Sequence, residues 1–518
     1  MTLIQLDEIL LTFKDLVMKI LALTAIFLLV TACGGGSNSG SSSNNTYAAN
    51  LQWSPGVFMP SSYYANRCIN PRSNGIDLSG TYVDENHWLR SWSHETYLWY
   101  NELPDIDPSS VPEPINYFEQ MKTSATTSGG LPKDRFHYAQ NTEEYNQYAE
   151  TGVSAGYGFE YILLQNTAPR KAIVIYTEPN SPAADNNIQR GAEIINIDGE
   201  PVNYGDADIL NAGLIPEKLG EYHSFEIKDL NTSTTRTVVL QSSEIVTVPV
   251  HTEKIIVRGD KKIGYIALNS FFVASAEKQL IDTITGFKNN QIDELVLDLR
   301  YNGGGYVSIS ADLGTMIAGN PALGSVFTEL ALNDKLSREN VTFRFSSGSS
   351  SNLTVPRGTV LPKLDLPRVY IITTNNTASA SEYLINGLRG IDVEVIQIGT
   401  TTTGKPYGWQ AEDNCGTTYS SIQFKGENAK GFGDFTYGFA PSAVDNSLEN
   451  VRGCVVYDDL MHVLGDESEK MLGTALYFIE NSQCPLSAND LNSKAAHPLS
   501  TVSGEVIRRF PATGLLIK

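Results

Sequence analysis

Three hydrophobic textures follow one another along the chain. Between about residues 85 and 150 the apolar positions fall mostly at helical intervals. In NHWLRSWSHETYLWYNELP this groups Trp88, Leu89, Trp92, Tyr97, Leu98 and Trp99, and Pro104-Asp105 end the pattern. Such a stripe predicts the buried face of a small helical cap, here 51–150. From Gly152 to about Ile245 short alternating runs replace it. AGYGFEYILL sets glycines ahead of a strand, and AIVIYTEPNSPAADNNIQRGAEIINIDGEPV reads as strand, turn, short helix from Pro182, strand Glu193–Ile197 and an Asp198-Gly199 turn. This predicts a β-module over 151–245. Beyond Ile255 strands alternate with helices. DELVLDLRYNGGGYVSISADLGTMIAG is a buried strand, a glycine turn and a helix, and LPRVYIITTNNTASASEYLINGLRG repeats the plan. The alternation predicts an α/β core over 246–518.

The N-terminus changes the picture from a plain globular chain to an exported one. Lys19 precedes the apolar run Ile20–Val30. That run is shorter than the ~20 residues needed to span a bilayer and has the length of a signal-peptide apolar region. Val30-Thr31-Ala32-Cys33 resembles a bacterial lipobox, so Cys33 is expected to be the lipidated first residue of the mature chain, with 1–33 a lipoprotein signal peptide. Residues 34–50, rich in Gly, Ser and Asn, read as a flexible linker. Gly34 after the cysteine, by similarity to lipoprotein sorting in enteric bacteria, favours the outer membrane. The net charge of -21 argues against nucleic acid as a partner, because phosphate binding needs clustered Lys and Arg. Four further cysteines in an exported chain predict two disulfides. Three connectivities are open, and Cys415–Cys454 with Cys68–Cys484 is the expected one. No metal-binding spacing occurs among the scattered histidines, so neither a metal site nor a cofactor is expected.

Two turns and one loop carry the chemistry. NTASASE crowds Thr377, Ser379 and Ser381 between a strand and a helix. Ser379-Ala380-Ser381-Glu382 fits the S/T-x-x-E capping box, and it equally fits a nucleophile at a helix N-terminus. RYNGGGYVS invites a phosphate cradle, but G-x-G-x-x-G counted from Gly303 meets Ser308 where glycine is needed, and no G-x-x-x-x-G-K-[ST] occurs. Bare amides beside a small-residue turn suit an oxyanion hole instead. Lys405, in Gly404-Lys405-Pro406, can activate a serine only as a neutral amine. At an ordinary pKa it is neutral about once in 2,500 at pH 7; burial lowers a lysine by ~3–5 units, enough for the role.

Together these segments resemble the C-terminal processing peptidases, also called tail-specific proteases. DLRYNGGG, TASASE and GTTTTGKPYG match three of their motifs in order, and the Gly-Tyr-Gly-Phe loop with SPAA…RGAEIINIDG is similar to a PDZ domain of bacterial protease type. The resemblance implies an α/β, ClpP/crotonase-like peptidase core with an inserted PDZ module and an N-terminal helical cap. It implies Ser379 as nucleophile, Lys405 as base, and the amides of Gly304 and Ala380 as oxyanion donors. It implies that the amides of Tyr157, Gly158 and Phe159 take a peptide's terminal carboxylate. The chain departs from the family where Trp409 stands four residues after the lysine in place of an orienting glutamine. Gln410, one residue later, and His137 of KDRFHYA, which lies where tricorn-type peptidases carry a catalytic histidine, are the alternatives for a third member. The function expected is that of a lipid-anchored, periplasm-facing serine endopeptidase selecting protein substrates by their tails. The alternative is a catalytically inactive PDZ scaffold that only binds peptides.

Overall fold

The computed structural model describes residues 52–73, 75–444, 447–485 and 505–507. The expected signal peptide, Cys33 included, and the whole of the expected linker lie outside them.

A seven-stranded sheet organises the core. Its order is Val250–Arg258, Lys261–Leu268, Glu294–Asp298, Arg368–Thr373, Glu394–Gly399, Asn450–Val455 and Ala440–Ser442. The first pair is antiparallel and the rest are parallel. Parallel strands need crossover connections, and these cover the sheet on both faces, which is why Glu294–Asp298 is buried at every position. Strand periodicity sorts neighbouring residues to opposite sides. Leu295, Leu297, Val369 and Ile371 pack against the helices Ser275–Asn290, Val307–Ala318 and Ala380–Gly390. Val296, Tyr370 and Ile372 pack against the helix Lys470–Asn481 and against Ile173 and Ile175 of the β-module.

The β-module is a sheet with its own core, built on Phe159, Val174, Ile194, Phe225 and Leu240. Its strands run in the order Arg236–Gln241, Tyr222–Lys228, Glu193–Ile197, Ala172–Thr177 and Phe159–Leu163, all antiparallel. The outer edge of Phe159–Leu163 is covered. Glu505–Ile507 pairs with it antiparallel, Val506 opposite Ile162, so one stretch of the C-terminal region belongs to this sheet and not to the peptidase sheet.

The aromatic stripe is helical only as far as Thr96, short of the Pro104-Asp105 end that the sequence predicts, because Tyr97 turns extended and starts a separate short turn at Tyr100–Glu102. Thr81 and Asp84 close a capping box at the start of the helix Tyr82–Thr96. Trp88, Leu89 and Trp92 are buried on it, and Tyr97 follows, also buried. The cap also holds a strand, Tyr138–Asn141, which pairs with Thr417–Ser420 of the core. The two disulfides are Cys68–Cys415 and Cys454–Cys484, which overturns the expected pairing. Cys415 lies at the turn of the hairpin Glu412–Ser420, whose second strand pairs with the cap, and Asn414 of that turn accepts the Asn66 amide. The turn is thus held beside Cys68. Cys454 ends a core strand, beside the C-terminus of the helix Lys470–Asn481 that Cys484 follows; a Cys484 Sγ contact to the Gly453 carbonyl marks the proximity.

Candidate active site

The strand Arg368–Thr373 is apolar and β-branched, and the chain leaves its end through a turn rich in hydroxyls. Only one of the three faces the cavity. Thr377 donates its hydroxyl to the Leu299 carbonyl at 2.8 Å, and Ser381 donates to that of Asn302 at 3.1 Å. Both stitch this turn to the glycine turn on the neighbouring strand. Ser379 is left, at φ +56° and ψ −116°, directly before the helix Ala380–Gly390. A serine with positive φ is costly, about 1–3 kcal/mol, and such strain persists only where surrounding structure imposes it. A helix cap requires ordinary extended geometry, so the capping box alone does not explain it.

The glycine turn fits against that serine because it has no side chains. A Cβ on Gly304, at φ +106°, would stand 2.7 Å from the Ser379 Cβ; one on Gly305, at φ +137°, would meet the Phe272 nitrogen at 2.1 Å. The Gly304 amide is engaged, donating to Asn302 Oδ1 at 2.9 Å. It is therefore not the free oxyanion donor that the sequence reading expects; the short side chain two residues back closes a local turn on it. The Ala380 amide is the first of its helix, among the N–H groups that a helix leaves without an internal partner.

Glu382 joins the serine turn to the lysine loop. It is fully buried, and its carboxylate accepts from the Ser379 amide (2.9 Å), the Gly404 amide (2.7 Å), the Lys405 amide (2.8 Å) and the Thr402 hydroxyl (2.5 Å). Bonds to a charged acceptor are worth about 1.5–3 kcal/mol each, so this cluster sets the spacing of the two segments. Burial still raises the Glu382 pKa.

Ser379 and Lys405 line one cavity of about 180 Å³, with Gly303, Gly305, Tyr138, Tyr145, Phe272, Tyr306, Trp409 and Phe424 among its walls. Burial pushes the Lys405 amine down to about 7, against the opposing pull of Glu382 and Asp134. The ammonium nitrogen lies 3.8 Å from the centroid of the Trp409 ring and 4.9 Å from that of Phe136. Among the described residues no hydrogen bond joins Ser379 Oγ to Lys405 Nζ. Bonds between catalytic groups are often long before substrate binds.

The sequence profile described as Peptidase family S41 matches residues 262–421, which span both turns and the lysine loop. That of the Peptidase S41 N-terminal domain matches residues 84–138, within the cap. The peptidase segment and the N-terminal segment thus both match one family, peptidase family S41. This is a family of serine-type peptidases. The chain is 25% identical over 338 residues to a carboxyl-terminal-processing protease of Picosynechococcus sp., covering 63% of this chain and 70% of that one. It is 25% identical over 301 residues to the chloroplastic carboxyl-terminal-processing peptidase 3 of Arabidopsis thaliana, 56% of this chain and 52% of the relative. An S41 protease structure from Bacteroides fragilis superposes with a TM-score of 0.56 at 24% identity, over 76% of this chain and 97% of that one, which shows the shared fold.

The two residues weighed as a third member do not reach the cavity. His137 is enclosed in the cap, stacked on Phe118 at 3.7 Å, with Nε2 at 2.8 Å from the Phe118 carbonyl. Burial lowers its pKa to about 4, so it is neutral. Its place is that of a core histidine with a backbone partner. Gln410 is exposed, and its backbone pairs with the Gln423 side chain. The lysine is met by Trp409 and Phe136, one noted in the sequence only as a departure and the other not singled out at all. Tyr157, Gly158 and Phe159 lie together on the rim of a second small cavity, of about 70 Å³, in the β-module. The Tyr157 and Gly158 carbonyls accept from the Ala183 and Glu178 amides.

Proposed function

We propose that this S41 peptidase is a serine endopeptidase in which Ser379 is the nucleophile and Lys405 the general base. The observation that carries the reading is the strained Ser379, held at a helix N-terminus in one cavity with a lysine whose pKa burial lowers to about 7, so that a large fraction of it is neutral near pH 7. Lys405 Nζ takes the Ser379 proton as Oγ attacks the scissile carbonyl carbon, and the carbonyl electrons move to oxygen. The Ala380 amide, with its helix behind it, supports that oxyanion; recruiting the Gly304 amide costs its bond to Asn302. Collapse expels the amine, which receives the proton from Lys405, and water then releases the acyl group by the reverse order of proton moves. Substrates are proteins or peptides, selected by their C-terminal tails through the β-module, which we read as a PDZ domain. The chain is placed in the bacterial envelope, facing the periplasm and held to the outer membrane by lipid on Cys33.

A fluorophosphonate probe tests the dyad on the purified chain. Ser379→Ala should abolish labelling. Lys405→Ala should reduce it by orders of magnitude, and Lys405→Arg should not restore it, because arginine stays protonated. Labelling that persists in Ser379→Ala would sink the assignment.

A further inference from the structure

Among the described residues no carboxylate, amide or histidine side chain holds the amine of the proposed base. What it has is an aromatic enclosure drawn from two segments distant in sequence. Trp409 lies four residues after Lys405 and presents its ring at 3.8 Å, and Phe136 comes from the cap at 4.9 Å. Both belong to a cluster that includes Tyr97, Tyr407 and Ile422, so neither is a loose surface ring. Tyr138 of the cap strand packs edge-on against Trp409, centroids 5.6 Å apart and planes at 79°, which fixes the indole from behind. The lysine backbone is fixed independently by the Glu382 carboxylate.

We infer that the Trp409 face, with the Phe136 ring beside it, positions the Lys405 amine and stabilises its ammonium form as the proton arrives from Ser379. The inference rests on the dyad reading. Its physical basis is the asymmetry of an aromatic face. The face attracts N–H and a cation through the ring quadrupole, yet offers no lone pair that would keep the amine charged as strongly as a carboxylate does, and it does not compete as a donor for the amine's lone pair. The neutral amine is therefore held with its lone pair free for the serine proton. The interaction strengthens when the amine becomes ammonium, which happens during attack, so it favours the transition state over the ground state. Trp409 is thus a positioning residue that does the work of the amide side chain the family places there.

The consequence for pH is specific. The ionisable groups packed around the lysine are Glu382 and Tyr383 on the serine helix, Asp134, Arg135 and Tyr138 on the cap, and Tyr145 and Tyr306 on the cavity wall. Arg135 is turned to the carbonyls of Thr403 and Gly404. A substitution at Trp409 leaves all of these groups in the chain. Above the lysine's pKa the free enzyme holds a neutral amine, and loss of the face raises only the transition state. Below it, the free enzyme already holds the ammonium, and the loss cancels.

The test measures the rate constant of fluorophosphonate labelling against pH for the full chain and for Trp409→Leu, Trp409→Phe and Lys405→Ala. Trp409→Leu should label about 3- to 30-fold more slowly than the parent at high pH and equally fast at low pH, so that the acid limb moves to lower pH. Trp409→Phe, which keeps a smaller and weaker aromatic face, should fall between the parent and Trp409→Leu at high pH. Phe136→Leu, which should show the same pattern with smaller amplitude, serves if Trp409→Leu does not fold by circular dichroism. An even loss at all pH values, or no loss, overturns the positioning role; a dead Lys405→Ala beside it leaves the dyad standing. Parent-like labelling in Lys405→Ala overturns the dyad and this inference with it.

Discussion

Lys405 costs this protein stability in proportion to what it offers chemically. Its folded pKa, about 7, lies well below the ordinary lysine value near ~10.4. Between those two pH values the unfolded chain binds a proton that the folded chain does not, so stability rises with pH across the window. Below it, the full cost of a buried ammonium is present; above it, none is. Lys405→Met, similar in volume and uncharged, should therefore raise the thermal midpoint at about pH 6 and lose that advantage by about pH 10.5. Midpoints measured at the two pH values decide it, and an equal gain at both would show that the amine is not desolvated. At this scale the sequence was legible where chemistry forces residue identity. Ser379 and Lys405 stood out, and the capping-box spacing pointed to Glu382 as a partner of the serine turn. Its second task, binding the Gly404 and Lys405 amides, was not visible, because nothing local to residue 382 announces a loop more than twenty residues away.

The strand Phe159–Leu163 is the element on which the proposed substrate selection turns. Alternation in the sequence predicts the strand, and the resemblance of the module to a PDZ domain implies that a peptide tail binds at the Gly-Tyr-Gly-Phe loop and adds to the strand edge. The structure places Glu505–Ile507 on that edge, with Val506 buried among Ile162, Ile173 and Tyr176. The Val506 amide also donates to Asn376 Oδ1 at 2.9 Å, three residues before Ser379. A tail binding there must displace the chain's own strand. Burying a valine side chain contributes about 1.5–3 kcal/mol, so Val506→Asp should weaken the cover by roughly tenfold or more. A labelled peptide of sequence SGEVIRRF, copied from residues 503–510, should then bind the variant more tightly than the parent in fluorescence anisotropy. Equal affinities would mean that the strand does not compete for this edge. No local signal marks Glu505–Ile507 as part of the β-module, since three residues of alternating character fit any open sheet edge.

Across the whole molecule the β-module and the peptidase core are joined by a buried ionic network. Arg190 of the module reaches Asp458 at 2.7 Å and the Tyr301 hydroxyl at 2.6 Å. Arg300, in the strand-end segment that leads to the glycine turn, binds Asp298, Asp458 and Glu469. Two guanidiniums thus share the Asp458 carboxylate, and the link runs from the module to the segment that carries Asn302 and Gly304. Such networks fix geometry more than they add stability, because desolvation offsets much of the attraction. The proposed lipid anchor belongs to this scale too. One lipid chain binds a membrane only marginally and several bind it stably, so Cys33→Ser should move the processed chain from the membrane to the soluble fraction. Retention of that mature variant on membranes would refute the lipid anchor.

The sequence by itself determined the elements and the chemistry. Hydrophobic period distinguished helical cap, β-module and α/β core, since burial on one or both faces is written into residue order. Three short motifs singled out the proposed nucleophile, the proposed base and the glycine turn. Tertiary structure alone decided what meets across long separations. It chose Cys68–Cys415 over the expected pairing, kept His137 inside the cap, and brought Phe136 of the cap beside the lysine. Each of these outcomes depends on which surfaces the packed core brings within a few ångströms of one another, and no local pattern in the chain encodes that distance.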